Sequence, residues 1–347
     1  MEKNRSVFVR AGAVALAALL VLATAYGSYL VSRAAYTPRG NARAASASTS
    51  ARAMATIEVS TGRVLYSHNM HQQMPMASTT KIVTAAAVLD NVCESELDTL
   101  FVVDKRALGI EGTSIYLQEG EEMSLRDLLY AMMLRSGNDA SVALAFRVSR
   151  SVNEFSVLMN EVAKKAGAKN SNFKNPHGLD QDGHLTTAYD LAMITAYAMR
   201  NPIFREIVAT TDTKIPGREY KRTIQNKNKL LRLMETADGV KTGFTSKAGR
   251  CFVGSATDAG MTVVSVVLNC GPMFEETRAL MELGLSEYTL TQLIEKDQMV
   301  GDFGIATESF SFPLKNGEEP KIARSGDHVV VTLGDKEIYK NTFIAIS

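Results

Sequence analysis

The sequence has almost no charge imbalance: 38 Lys and Arg stand against 37 Asp and Glu, a net charge of +1. Proteins that hold nucleic acid concentrate basic residues on one face, and nothing here supplies such a face, so no nucleic-acid partner is expected. Cysteine is scarce, with only Cys93, Cys251 and Cys270. The number is odd and the spacing is not a metal pattern. All three read as buried thiols, the usual place of a free cysteine. Cys251 and Cys270 flank a hairpin turn at Asp258-Ala259-Gly260, and a tight turn there displaces them in register. His177 and His184 do not have zinc-ligand spacing either, and with Gly178 and Gly183 beside them they read as loop-ordering hydrogen-bonders. No metal is expected. No internal repeat of about 20 to 50 residues is present, which excludes a solenoid or propeller.

What is present begins at the N-terminus. Lys3, Arg5 and Arg10 precede an uncharged stretch from Ala11 to Ser32, whose apolar heart is followed by Ala23-Thr24-Ala25. A basic start, an apolar run and a small-x-small site describe a secretory signal. The stretch also reaches the about 20 residues that a membrane span needs, so a cleaved signal and a retained anchor are both open. In either case the rest of the chain is exported. Residues 34–52, rich in Ala, Ser, Thr and Arg, read as a linker.

From residue 53 the pattern is β, then helical, then β again. Ala55 to Asn69 reads as a hairpin. A helix opens at Ser78, and Phe101-Val102-Val103 and Ile115-Tyr116-Leu117 read as short strands. Helices follow from Ser124, from Ala140 and from Ser151, the first and last with an acid three residues after the capping serine. Another starts near Thr187 and ends before Pro202. Val240–Thr245, Cys251–Ala256 and Thr262–Leu268 read as consecutive strands, and a helix from about Phe274 closes the domain. The remainder is strand-like. Strands distant in sequence must therefore join one sheet with helices packed around it, an α/β (α+β) architecture.

Three short motifs carry the chemistry. They are Ser78-Thr79-Thr80-Lys81, Ser136-Gly137-Asn138 and Lys241-Thr242-Gly243. A serine hydroxyl is a weak nucleophile until a nearby base takes its proton. Lys81, three residues on, lies on the same helical face. It can accept a proton only when neutral, and burial and a second cation such as Lys241 both favour that form. Gly137 permits a tight bend after the preceding helix, so Ser136 and Asn138 can project into one cleft, the first to relay a proton and the second to hold a substrate amide. On a strand, the Lys241 amine and the Thr242 hydroxyl suit a carboxylate, and Gly243 admits substrate close to the backbone. Single matches are weak: Ser171…Lys174 also reads S-x-x-K, and Ser67-His68-Asn69 and Ser151-Val152-Asn153 also read S-x-N. The ordered triple on helix, loop and strand is the specific signal.

Around these motifs, Pro75 to Lys81, Leu134 to Ala140, Asn175-Pro176-His177-Gly178-Leu179 with His184 and Thr187 to Leu191, and Asp238 to Thr245 resemble the serine D-alanyl-D-alanine carboxypeptidases, the low-molecular-mass penicillin-binding proteins. The resemblance covers roughly residues 53 to 290. It implies the penicillin-recognising serine transferase (β-lactamase-like) fold, with a central antiparallel sheet, a helical subdomain and a small C-terminal β domain at 291–347. It implies that Ser78 attacks the penultimate D-Ala carbonyl of a peptidoglycan stem peptide, with Lys81 as base and Ser136 as relay. Asn138, Lys241, Thr242 and Gly243 would bind substrate, and the backbone N–H groups of Ser78 and Phe244 would form the oxyanion hole. β-Lactams would be inhibitors, and no cofactor is implied. The N-terminal segment 1–33, if uncleaved, would hold the protein at the outer face of the membrane, because the chain ends in β-like sequence where members often carry an amphipathic helix. Many members also carry an Arg just after the last central strand. Here Asn269-Cys270-Gly271-Pro272-Met273 has none, so the substrate carboxylate would rest on Thr242, Lys241 and another group. A class A-like β-lactamase would need a deacylating Glu, and no E-x-x-L-N segment lies between Ser136 and Lys241. A D,D-endopeptidase and a catalytically weak wall scaffold are the remaining alternatives.

Overall fold

The computed structural model describes residues 45–46, 49–218 and 221–345. The expected signal or anchor at 1–33 lies outside the described residues. Ala53–Glu58 (β1) and Val64–His68 (β2) form the expected hairpin, turned at Gly62 with φ 70°. A 3₁₀ turn, Ala77–Thr80, leads into Lys81–Asn91 (α1). The helical block contains Leu125–Tyr130 (α2), Asn138–Val148 (α3), Val152–Lys165 (α4), Ala188–Ala198 (α5) and Pro202–Ala209 (α6). Three starts follow one rule: the side chains of Ser124, Ser151 and Thr187 accept from the backbone N–H of Asp127, Glu154 and Asp190. Each cap satisfies a donor that the first turn leaves without a partner, worth about 1 kcal/mol.

Ala237–Thr245 (β3), Gly249–Asp258 (β4) and Met261–Leu268 (β5) follow, then Met273–Glu287 (α7). The six-stranded sheet runs Ala45–Ser46, β2, β1, β5, β4, β3. The early hairpin and the late strands meet where β1 pairs antiparallel with β5, with Thr56 opposite Ser265 and their hydroxyls 2.8 Å apart. All six residues of β1 are buried, because both faces of the sheet are covered. On one face α7 packs through Leu280 and Met281 against Met54, Phe252, Val263 and Val267. On the other, α5 lies across β1 and β5. Side chains of this size contribute about 1.5–3 kcal/mol each on full burial. The sheet ends at β3, and the third motif lies on that edge.

Beyond α7 the chain is all β: Tyr288–Ile294 (β6), Met299–Val300 (β7), Gly304–Ala306 (β8), Phe310–Lys315 (β9), Pro320–Ser325 (β10), His328–Leu333 (β11) and Lys336–Ala345 (β12). β6 pairs with β9, and β7, β8, β12, β11 and β10 form a five-stranded sheet in that order. Their shared core contains Phe310, Phe312, Val329, Val331 and Tyr339. β6 starts before residue 291 and continues past it.

Three expectations are corrected. Ile115–Leu117 is not a strand; Leu100–Val102 pairs instead with Glu122–Ser124, and the backbone N–H groups of Ile115 and Leu117 go to the Asp139 carboxylate. The 34–52 linker is not wholly irregular: Ala45–Ser46 adds a parallel strand beside Tyr66–Ser67, and Glu276 accepts hydrogen bonds from Thr49 and Ser50. Cys93 is exposed, while Cys251 and Cys270 are buried. The helix from Thr187 does end before Pro202, at Ala198, as expected; Pro202 itself opens a further helix, α6, at its first position, where its missing N–H costs nothing, and Asn201 caps it by accepting from Ile203 and Phe204.

Candidate active site

Ser78 sits in the 3₁₀ turn, not at the start of the α-helix. A 3₁₀ turn has three residues per turn, so positions i and i+3 eclipse, which stacks Lys81 over Ser78. The preceding Ala77 has φ 49°, a left-handed conformation that a residue with a Cβ adopts only when its surroundings enforce it. The enforcement is visible. A Cβ on Gly178 would lie 2.0 Å from Ala77 O, so only glycine admits this approach. Thr80 Oγ1 donates to Ala77 O at 2.8 Å and lies 2.9 Å from His184 Nε2. His184 Nδ1 accepts from Lys174 N at 2.9 Å, so the proton is on Nε2 and is donated to Thr80. Burial first, then Lys174, lowers the His184 pKa to about 4 and keeps that ring neutral. His184 is thus a loop-ordering hydrogen-bonder, as expected, and it orders the turn that carries Ser78.

Lys81 is fully buried. Its Nζ is 2.7 Å from Asn138 Oδ1, 2.6 Å from His177 O and 3.2 Å from Ser78 Oγ. Burial, then the charges of Lys241 and Lys227, pushes its pKa well below the ordinary lysine value. A neutral amine has two N–H donors and one lone pair. Two carbonyl-type acceptors take the protons, and the lone pair is left for the serine hydroxyl.

The second motif bends differently from expectation. Ser136, not Gly137, takes the left-handed conformation, at φ 72° and ψ 34°, where a π-helical turn Ala131–Arg135 ends. Gly137 has ordinary angles, φ −59° and ψ 120°. It is glycine for lack of room: a Cβ there would meet Asp139 Oδ1 at 3.0 Å and Ile115 Cγ2 at 3.3 Å. Asn138 N donates to Thr113 O at 2.7 Å and its Nδ2 to Glu111 O at 2.6 Å. Next to it, buried Asp139 accepts from Ser114 Oγ, Ile115 N, Leu117 N and Ala140 N. The loop 111–117 therefore hangs from these two side chains, a function that its apolar pattern alone hides.

On β3, a Cβ at Gly243 would lie 3.0 Å from both Ser78 N and Thr79 N, which explains glycine where strand and nucleophile turn touch. Lys241 is buried behind this contact, with Nζ 3.1 Å from Thr242 O, and burial followed by Lys227 lowers its pKa to about 7. Ser78, Ser136, Thr242, Gly243 and Phe244 open on one cleft of about 750 Å³, while Lys81, Asn138 and Lys241 stand behind its wall. Lys227, Lys229 and Arg250 also line it, with Glu275 the only acid among its lining residues. The motifs do not mark these three cations. The signal for the lysines is the alternation Asn226-Lys227-Asn228-Lys229: both asparagines are buried and both lysines are exposed. The decoys prove structural. Ser171 Oγ donates to Asp190, and Ser151 caps α4. Among the described residues no group of three or more His, Cys, Asp or Glu side chains could hold a metal ion.

A family model described as D-alanyl-D-alanine carboxypeptidase matches residues 40–271. The chain belongs to this family. D-alanyl-D-alanine carboxypeptidase DacF of Bacillus subtilis is 31% identical over 276 residues, covering 78% of this chain and 71% of that protein. D-alanyl-D-alanine carboxypeptidase DacD of Escherichia coli is 34% identical over 260 residues, 71% of this chain and 66% of that one. In structure, penicillin binding protein 6B from Escherichia coli superposes with a TM-score of 0.76 at 26% identity, covering 90% of this chain and all of the other. The expected penicillin-recognising fold and serine-carboxypeptidase class are thereby borne out. No Arg stands at residues 269–273 just after β5, and Arg250, on the neighbouring strand β4, donates through Nη1 to Gly271 O at 3.2 Å.

Proposed function

We propose that the protein is a serine D-Ala-D-Ala carboxypeptidase that removes the terminal D-Ala from peptidoglycan stem peptides through an acyl-enzyme on Ser78. The observation that carries this reading is the environment of Lys81, whose two acceptors leave one lone pair, 3.2 Å from Ser78 Oγ. Lys81 takes the hydroxyl proton, and Oγ bonds to the penultimate D-Ala carbonyl carbon. The negative oxygen lies on the N–H groups of Ser78 and Phe244. Ser136 passes the proton to the departing amine, the C–N bond breaks and D-Ala leaves. Water then attacks the ester, giving its proton to the same Lys81 amine; the acyl–Oγ bond breaks, Lys81 returns that proton to Ser78 Oγ, and the shortened peptide leaves as the acid. Asn138 fixes Lys81 through Oδ1, and because an amide nitrogen has two hydrogens, its Nδ2 keeps one beyond Glu111 O for a substrate carbonyl. Buried Lys241 holds Lys81 neutral and adds positive potential beneath Thr242, which meets the substrate carboxylate beside Gly243. β-Lactams acylate Ser78 by the same route. The protein works outside the cytoplasm, with residues 1–33 as export signal or anchor; among the described residues no helix is long and apolar enough to cross a membrane. The test is to incubate the protein with a pentapeptide stem and with a cross-linked dimer and to weigh the products. Loss of one alanine from the pentapeptide supports the reading, and an unchanged pentapeptide overturns it.

A further inference from the structure

A D-Ala leaving group brings an anion into the cleft at a fixed place. Its carboxylate carbon is three bonds from the scissile carbonyl carbon, which places it within about 4 Å by ordinary bond lengths. With the scissile oxygen at the N–H groups of Ser78 and Phe244, the carboxylate lies beside Phe244. In the β3–β4 ladder the residue directly opposite Phe244 is Arg250. Directly opposed residues of an antiparallel pair share a face and have Cα atoms about 4.5–5.5 Å apart. Arg250 lines the same cleft as Ser78 and is exposed to it. Its guanidinium has five N–H donors, and one goes to Gly271 O at 3.2 Å, which pins the group without using it up. Among the described residues no carboxylate lies within ion-pair distance of it.

The other charged groups on the cleft are placed differently. Burial and the charge of Arg135 pull Lys227 below the ordinary lysine range. The Lys229 ammonium is 5.9 Å from the centroid of the Phe274 ring and is engaged there. Glu275 has the sign of the substrate and repels it. Arg250 alone among these cations is a permanent charge with a planar fork that matches a carboxylate.

We propose that Arg250 reads the free C-terminal carboxylate of the substrate and thereby restricts cleavage to peptides that end in an α-carboxylate. This specificity residue comes from β4, across the ladder from the oxyanion site, and it rests on the carboxypeptidase reading above. The requirement disfavours internal bonds whose leaving amine has no carboxylate beside it.

The experiment compares two substrates that differ only at the end, an acylated Lys-D-Ala-D-Ala with a free carboxylate and its C-terminal amide. Wild type, Arg250→Ala and Arg250→Lys are measured for kcat/KM on both, with the melting temperature of each variant as the check on folding. The expected result is a wild-type preference for the acid of about 10- to 100-fold, the range of a charge-assisted pair. In Arg250→Ala that preference falls toward one, mainly through KM on the acid. In Arg250→Lys part of it returns, because a point charge without the fork remains. A folded Arg250→Ala that keeps the wild-type acid-to-amide ratio overturns the assignment of Arg250 alone. A wild type that hydrolyses neither peptide overturns the carboxypeptidase reading and this inference with it.

Discussion

A lysine ammonium has three donors and no lone pair; the neutral amine has two donors and one lone pair. Lys81 is supplied with two strong acceptors and a serine hydroxyl that can donate to the neutral amine's lone pair, and burial first, then Lys241 and Lys227, favours that neutral form. Arginine in its place stays protonated, so Lys81→Arg should lose acylation by a β-lactam by a factor on the order of 10² to 10⁴ while still melting cooperatively. Wild-type acylation in that variant would remove Lys81 from the role of base. Lys241 gives a pH prediction. Its pKa falls from 10.5 to about 7 in the fold. Between those values the unfolded chain binds a proton that the folded one does not, so stability rises with pH across that window. Below about pH 7 both states carry the charge and the full cost of burying it is present. Lys241→Met should therefore raise the melting temperature strongly at pH 6 and much less at pH 9, at the expense of activity. An equal gain at both pH values would refute the depressed pKa. Ser78, Lys81 and Lys241 stood out in sequence as site candidates because few residue types can act as nucleophile, base or buried cation. Arg250 was not, because the residue opposite Phe244 is known only once the β3–β4 register is.

At the level of elements, the site depends on close approaches that admit no side chain. Gly178 has φ 89° and touches Ala77 O, so Gly178→Ala combines backbone strain with a backbone collision. We expect a loss of about 2–4 kcal/mol in unfolding free energy, in the range of strained and overpacked positions. Acylation of Ser78 should also slow, since the turn that holds it must shift. Thermal melting and β-lactam labelling of the same variant check both, and an unaltered melting temperature would show that the turn is not packed as described. Element types were largely readable: three helix starts announced themselves by a Ser or Thr with an acid three residues on. Ile115–Leu117 was misread as a strand and the helix start at Pro202 went unread, for one cause. Their backbone partners are side chains, the Asp139 carboxylate and the Asn201 amide, and apolar periodicity does not register such partners.

Across the whole molecule, the C-terminal β region is joined to the catalytic sheet through Arg63. This buried guanidinium pairs with Glu318, donates to Pro313 O and lies over the rings of Tyr288 and Phe312 at 5.1 and 4.9 Å. Removing its carboxylate leaves a buried cation without its ion partner. Glu318→Ala should cost about 2–4 kcal/mol, somewhat under a fully buried pair because Glu318 is partly exposed. β2, which begins beside Arg63, is separated from the active-site strand β3 by β1, β5 and β4. The acylation rate should therefore stay within about twofold of wild type, as expected for distant, independent sites. A parallel loss of acylation would mean that the β region supports the site directly. By itself the sequence determined the family and the order of β, helical and β blocks, and marked Ser78 and Lys81 as the candidate nucleophile and base, because these are written in local spacing: three residues from serine to lysine, alternation in strands, caps before helices. Only the tertiary structure decided that the early hairpin completes a sheet begun by the late strands, that Asn138 and His177 converge on Lys81 beside Ser78, and that Arg250 stands across from Phe244. Those facts are distances between residues far apart in the chain, and they exist only once burial and strand register bring them together.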